Sequence, residues 1–452
     1  MNQSEQFLHD IDSLFQKEIP EPVMARARQS LLDYLAVCSA GTGFQEEKIR
    51  NYFAFLEPEA GNYTMVGLGK KLALKETVFL NGLNGHALDF DDGTNAGIIH
   101  LGSPVFSLLL PLAEKFGKSV EELLRAAVIG YETSFTLAVS IQPGHKALGY
   151  HATGTCGTVG ATVAASYLLG FTAEERFHAF AAACVAASGM LKVLDDGSEL
   201  KPYNVAKTAL LALTSIELAM AGFKGHPDPM GGRGFLRMMT GKEDVVLKPL
   251  FLDGTYAIMK TYTKPYASCR YTHPSIEAAV RLRNEYGIQP CDVAAVDITT
   301  YSLAVSGHDH TEIPGSYSAK MSIPYSVAAG IIYGKAGLQE FTEEKVKDNT
   351  ITQLTKKVRV KSDDKMSAAF PVLQSSLVRI ALSDGRRFEL QVDYPKGEPE
   401  NPLTEEEFKD RYDGLMAYGG VSRTVSDAVY QKVYGEGVKV SELLELFVRK
   451  EG

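Results

Sequence analysis

The sequence predicts a mainly α-helical protein, built as a large all-α domain with a smaller α+β domain inserted into it. Three observations lead there. Apolar residues recur at i, i+3, i+4 and i+7 in the early part of the chain, where Ser119/Glu122 and Thr172/Glu175 form helix-start boxes. After about residue 255 strand-like segments alternate with helical ones. Beyond Pro395 helical patterns return, opened by Thr404 and Glu407. A chain of 452 residues with 45% hydrophobic content exceeds one typical core. Two domains are therefore expected, residues 1–255 with 396–452, and residues 256–395.

Residues 22–40 carry Ala25, Leu31, Leu32, Leu35 and Ala36 behind Pro22, a residue favoured at helix starts, and predict an amphipathic helix. GLGKK at 67–71 contains GxGK but lacks the remaining Walker spacing and the full GxGxxG fingerprint, so no phosphate loop is inferred. Residues 74–88, with Val78, Leu80, Leu83 and Leu88, read as a helix, and 105–116 as another. Val120, Leu123, Leu124, Ala127, Val128 and Tyr131 continue the rhythm after Ser119. His151 opens HATGTCGTVGATVAASYLLGF, where Gly154, Gly157 and Gly160 precede Ala161, Ala164 and Ala165. Small residues at that spacing favour close helix packing over a phosphate cradle. Residues 177–190 follow as a helix, then a polar interruption at 195–205 containing Lys201, then a helix at 206–221 capped by Gly222. GHPDPMGGRGF at 225–235 marks the approach to a boundary. Strands are expected at 293–301 and 357–361, with a hairpin of 377–382 and 387–394 around Asp384-Gly385. Helices are expected at 275–283, 324–333, 421–434 and 441–450.

Net charge of -9 with no basic run disfavours nucleic acid and anionic membrane surfaces as partners. Cys38, Cys156, Cys184, Cys269 and Cys291 show no CxxC spacing, so neither a disulfide framework nor a metal site is expected, and a reducing cytoplasm fits. The N-terminal stretch lacks a signal-peptide pattern, and no apolar run reaches membrane-spanning length.

Chemistry concentrates in residues 81–104, NGLNGHALDFDDGTNAGIIHLGSP. Asp89, Asp91 and Asp92 form a DxDD pattern at a helix end, and carboxylates that close need cations or donors beside them. His100 is one candidate partner, and Gly93, Gly97 and Gly102 allow close backbone approach to a ligand. The plain alternative is a solvated capping loop. His151 reads either as a helix cap or as a site residue, and Lys201 either as a surface lysine or as a site cation. A second group, KPYASCRYTHP at 264–274, gathers Lys264, Cys269, Arg270 and His273, a set suited to a substrate with two or three carboxylates. Its plain alternative is a polar loop capping the next helix. Nothing around Cys269 is a cysteine-hydrolase signature.

NGLNGHALDFDD with His100, HATGTCGTVGA, KPYASCRYTHPSIEAA and AKMSIPYSVAAG, in this order, resemble the MmgE/PrpD family, over almost the whole chain. That family includes 2-methylcitrate dehydratases, cis-aconitate decarboxylases and an iminodisuccinate epimerase. The resemblance implies a large all-α domain, a smaller α+β lid domain, homodimeric assembly, and catalysis without metal or organic cofactor. It also matches Asp89, His100, His151, Lys201 and Lys264 to positions associated with the active site in the decarboxylase branch. Cys269 stands where that branch has histidine, Gly93 where it has threonine, and HLGSP where the dehydratases read HPSD. The expected function is a cofactor-independent lyase acting on a small di- or tricarboxylate, with epimerisation of an iminodisuccinate-like dicarboxylate as the alternative. In that scheme Lys201, Lys264 and Arg270 hold carboxylates, His100 and His151 move protons, Asp89 orients a neighbour, and Cys269, His273 and Asp92 complete substrate binding. Two further readings are a non-catalytic scaffold and a terpenoid enzyme, since DxDD also resembles terpene-cyclase aspartates. Those sites are rich in aromatic residues, and this chain has no tryptophan.

Overall fold

Helix starts are written locally. Ser119 Oγ accepts the N–H of Glu122 at 3.1 Å, and the Glu122 carboxylate accepts the Ser119 N–H at 2.8 Å. Thr172 and Glu175 repeat the arrangement, each box satisfying two otherwise orphaned N–H groups. The structure, a computed structural model, describes residues 1–57, 60–193 and 198–448, and is mainly helical. It divides into two compact units. One comprises Met1–Lys192, Leu200–Thr261 and Glu406–Gly452, and the other Val193–Glu199 and Tyr262–Glu405.

At the centre of the first unit lies Ala152–Leu168, whose 17 residues are all buried. Four helices pack around it: Gly102–Lys115, Val120–Ile141, Ala173–Ala186 and Lys201–Met220. Glycine makes the crossing with Val120–Ile141 possible, because a Cβ on Gly160 would stand 1.8 Å from Ser134 Oγ and 2.7 Å from the Gly130 carbonyl oxygen. The small-residue spacing thus packs helices, as its sequence suggests. Lys201–Met220 also packs on Leu74–His86, which in turn packs on Glu21–Phe44.

Several elements differ from expectation. The GLG of GLGKK lies in the turn of a hairpin between β1 (Ala60–Met65) and β2 (Lys70–Leu72), and its two lysines open β2, with Gly67 and Gly69 at φ +84° and +76°, values that favour glycine. The helix expected from residue 105 starts at Gly102 and retains Pro111 inside it. The helix expected from residue 206 starts at Lys201, with Pro202 in its first turn where a missing N–H costs nothing. Residues 195–197 of the polar interruption lie outside the described residues, as do 449–450 of the expected last helix, which is observed as Val440–Leu444 with a 3₁₀ turn at Glu445–Phe447.

In the second unit, β3 (Val293–Thr300), β4 (Val358–Ser362), β5 (Ser376–Leu382) and β6 (Arg387–Val392) form one sheet in the order β4-β3-β5-β6. The β3–β4 pair is parallel and the other two pairs are antiparallel. Val378, Ile380 and Leu382 alternate inward along β5, and His273–Tyr286 packs across β5 and β6. Among the described residues no helix is long and apolar enough to cross a membrane.

Candidate active site

The Leu74–His86 helix ends at the residue that begins the site. His86 lies in its last turn with its side chain wholly buried. The chain then reverses through Asp89, a non-glycine residue at φ +50°, and again at Ile98, φ +51°. Asp tolerates this left-handed conformation better than most residues, whereas a β-branched Ile does so at a cost of order 1–3 kcal/mol. The reversals bring Asp89 and Asp91 to His100 from two sides and turn Asp92 elsewhere. Lys201 Nζ lies 2.7 Å from Asp89 Oδ1, and His100 Nε2 lies 3.7 Å from the same oxygen. Both Asp91 oxygens are 2.9 Å from His86 Nδ1, and Ser103 Oγ donates to one of them at 2.8 Å. Asp92 accepts from the Tyr131 hydroxyl at 2.6 Å and from the Gly102 N–H at 2.8 Å. Asp89 and Asp91 both face His100, whose Nδ1 lies 3.4 Å from Asp91 Oδ2, while Asp92 is engaged by Tyr131 and Gly102.

His100 is fixed at both ends. Its N–H donates to Thr153 Oγ1 at 3.1 Å, and its Nδ1–H donates to the Asp92 carbonyl at 2.9 Å. The mobile proton therefore belongs to Nε2, the nitrogen on the Asp89 side. The His86 ring sits edge-on to His100 at 4.5 Å between centroids and 6.2 Å from His151. His151 is the N-cap residue of Ala152–Leu168, but its side chain makes no capping bond. Its buried Nδ1 has no hydrogen-bond partner among the described residues, which weakens the cap alternative.

Burial dominates the electrostatics. It pushes His86 down to about 4, with Asp91 partly countering. Burial likewise holds His151 well below the ordinary histidine value, reinforced by the positive charge of neighbouring groups. Both rings are thus neutral near pH 7. For Asp91 burial acts upward, but His100 and His86 outweigh it and hold the carboxyl well below its usual range. Burial pushes Asp92 up to about 6 despite its two donors.

The loop is held from outside as well. Arg411, on Glu405–Tyr418, forms a buried ion pair with Asp33 of Glu21–Phe44, donates to the Phe90 carbonyl at 2.8 Å, and lies over the Phe90 ring at 4.5 Å.

In the second unit Lys264 is buried. The Thr263 N–H donates to the Gly397 carbonyl at 2.9 Å, and Gly397, at φ +91°, approaches so closely that a Cβ there would lie 1.9 Å from the Thr263 oxygen. Arg270 is committed inside the unit. It pairs with buried Glu398, donates to His273 Nδ1 at 2.7 Å, and lies over the Tyr262 ring at 4.7 Å. His273 is fully buried and turns Nε2 to the Ser268 carbonyl at 3.2 Å. Cys269 is partly exposed, with Sγ 3.5 Å from His308 Nε2.

The structure therefore brings Asp89, His100, His151 and Lys201 together in the first unit, and Lys264, Cys269, Arg270 and His273 along one stretch of the second. Sequence reasoning passed over His86 and Asp91 as site residues. The signal for them was present, because a histidine in a last helical turn, followed five residues later by an aspartate, can close an Asp–His pair. For Glu398 and His308 no sequence signal exists.

Residues 5–248 match the MmgE/PrpD N-terminal domain and residues 266–430 the MmgE/PrpD C-terminal domain. The chain belongs to the MmgE/PrpD family. Cis-aconitate decarboxylase of Aspergillus terreus is 26% identical over 433 residues, spanning 89% of this chain and 87% of that protein. The cis-aconitate decarboxylase of Mus musculus is 24% identical over 430 residues, spanning 90% and 86%. The mitochondrial 2-methylcitrate dehydratase of Yarrowia lipolytica is 22% identical over 322 residues, spanning 65% and 59%. These MmgE/PrpD relatives are lyases, and at the family level the likeness supports a lyase-type enzyme. Asp89, His100, His151 and Lys201 fall within the MmgE/PrpD N-terminal match, Cys269, Arg270 and His273 within the C-terminal match, and Lys264 between the two.

Proposed function

We propose that this MmgE/PrpD protein is a cofactor-independent lyase that works on a small di- or tricarboxylate by moving a proton beside a carboxylate. The observation that carries the reading is the meeting of Lys201 and His100 on one oxygen of Asp89, at 2.7 and 3.7 Å. A fixed cation and a ring with an oriented mobile proton are the two things this chemistry requires.

Dehydration removes the proton beside a carboxylate, sends the electron pair into the new double bond, and expels the hydroxyl as water after protonation. Decarboxylation expels carbon dioxide, leaves the electron pair on the neighbouring carbon, and requires an acid to protonate it. Either path passes through negative charge conjugated with a carboxylate, which the Lys201 ammonium can stabilise. His151, whose buried Nδ1 has no hydrogen-bond partner among the described residues, is assigned the proton-accepting role, His100 Nε2 the proton-delivering one, and Asp89 the orienting of both Lys201 and His100. The Asp91–His86 pair, wholly buried and edge-on to His100, acts as a positioning pair. Lys264 is assigned the second carboxylate-holding charge. Arg270, His273 and Asp92 are assigned to positioning, because the bonds described above already engage their polar groups, and Cys269 remains a contact to substrate.

Cis-aconitate and 2-methylcitrate name the substrates of relatives, and Cys269 in place of a histidine favours neither. An epimerase of an iminodisuccinate-like dicarboxylate is the second reading, supported by two separate proton-moving rings, His100 and His151, which could serve opposite faces of one carbon. NMR of turnover and of solvent deuterium exchange with 2-methylcitrate, citrate, cis-aconitate and iminodisuccinate separates the readings. Loss of water, loss of carbon dioxide or stereochemical inversion identifies the reaction, and neither exchange nor turnover with any of the four refutes the proposal. Activity is expected to survive EDTA, and assembly is expected to be homodimeric by light scattering.

A further inference from the structure

His86, Asp89, Asp91 and His100 each offer a ligand atom, and these atoms lie within 4.8 Å of one another. Zinc bonds to nitrogen and oxygen are about 2.0–2.2 Å long, so tetrahedral ligand atoms stand about 3.3–3.6 Å apart. Two pairs are already near that spacing, His86 Nδ1 with Asp91 at 2.9 Å and His100 Nε2 with Asp89 Oδ1 at 3.7 Å. Lys201 is the obstacle. Its ammonium lies 2.7 Å from Asp89 Oδ1, so a second cation must displace it before Asp89 can serve as a ligand.

We propose that these four residues form an inhibitory binding site for zinc-class divalent ions, kept closed by the Lys201 ammonium acting as a tethered competing cation. Two imidazoles and two carboxylates suit Zn²⁺ or Co²⁺ and not Mg²⁺ or Ca²⁺, which prefer oxygen ligands throughout. Two carboxylates neutralise a dication fully, and the ammonium then becomes surplus charge. Binding does not depend on the function proposed above. Inhibition does, because a bound ion would remove Asp89 and His100 from the reaction.

The test uses the full chain, stripped with EDTA and desalted, titrated with CoCl₂ while visible absorption is followed and with ZnCl₂ by calorimetry. Lys201→Met is expected to bind Co²⁺ about tenfold or more tightly than wild type, since a like charge a few ångströms away is removed. His86→Gln, introduced on the Lys201→Met background, is expected to weaken binding about tenfold or more, with His100→Gln as the second variant if the first melts early. A gain of affinity cannot arise from unfolding. Equal Co²⁺ affinity in wild type and Lys201→Met overturns the competing-cation role. Binding unchanged by both histidine substitutions, or no binding in Lys201→Met, overturns the site. Binding without inhibition of turnover leaves the site standing and removes Asp89 and His100 from the chemistry.

Discussion

Asp92→Asn separates two proton equilibria that oppose each other in one loop. Burial pushes Asp92 from an ordinary 3.8 up to about 6, a gap equivalent to about 3 kcal/mol. A carboxyl raised on folding contributes its stability fully below its unfolded value and loses it as pH rises through its folded one. His86 runs the other way. Burial lowers it from 6.5 to about 4, so its contribution is present above about pH 6.5 and lost as pH falls toward 4, again about 3 kcal/mol. Between these limits the two slopes offset in the wild type. Asn keeps the side-chain shape, can still accept from the Gly102 N–H, and can donate to the Tyr131 oxygen. Only the Asp92 titration is removed. Equilibrium urea unfolding of EDTA-treated protein at about pH 4.5 and 7.5 is therefore expected to show Asp92→Asn gaining about 2 kcal/mol on wild type as pH rises, since part of the shift is already spent at pH 4.5. Titrations not coupled to Asp92 cancel in the difference. Profiles parallel to within about 0.5 kcal/mol would refute the reasoning, because Asp92 would then be ionised throughout.

Three further outcomes are expected. His100→Ala and His151→Ala should each lower kcat about a hundredfold or more while leaving the fold largely intact; near-normal kcat with a lowered Tm would assign that histidine to structure. Lys264→Ala should reduce kcat/KM with an unchanged far-UV spectrum, and wild-type kcat/KM would remove Lys264 from the site. Arg411→Met should destabilise the protein by about 3–5 kcal/mol in urea unfolding, because it leaves the buried Asp33 without its ion-pair partner. A loss under about 1 kcal/mol would show that Asp33 is compensated from elsewhere.

Much of this was legible in sequence wherever the deciding contacts are local. The capping boxes, the glycine-spaced core helix and the Asp384-Gly385 hairpin each follow from residues a few positions apart. The start of the helix at Lys201 is hidden in the sequence because a lysine and a proline look polar and disruptive, although proline suits a first turn. GLGKK was compared with phosphate loops, while its positive-φ glycines serve a hairpin. Asp89, His100, His151 and Lys201 could be singled out, but their roles depend on two left-handed residues, Asp89 and Ile98, that no periodicity announces. Arg270 looked like a substrate fork because Glu398, its buried partner, stands 128 residues away.

The Arg411 clamp has a consequence for synthesis. The acidic loop and all four helices around the core helix are encoded before residue 221, yet the guanidinium that grips Phe90 and Asp33 is encoded after the entire sheet-bearing unit. A nascent chain emerging from the ribosome thus carries every acid, base and lysine of the first unit's cluster well before it carries the brace that fixes their loop. Truncated translation products should accordingly be inert and readily proteolysed around residue 90, while the finished chain resists.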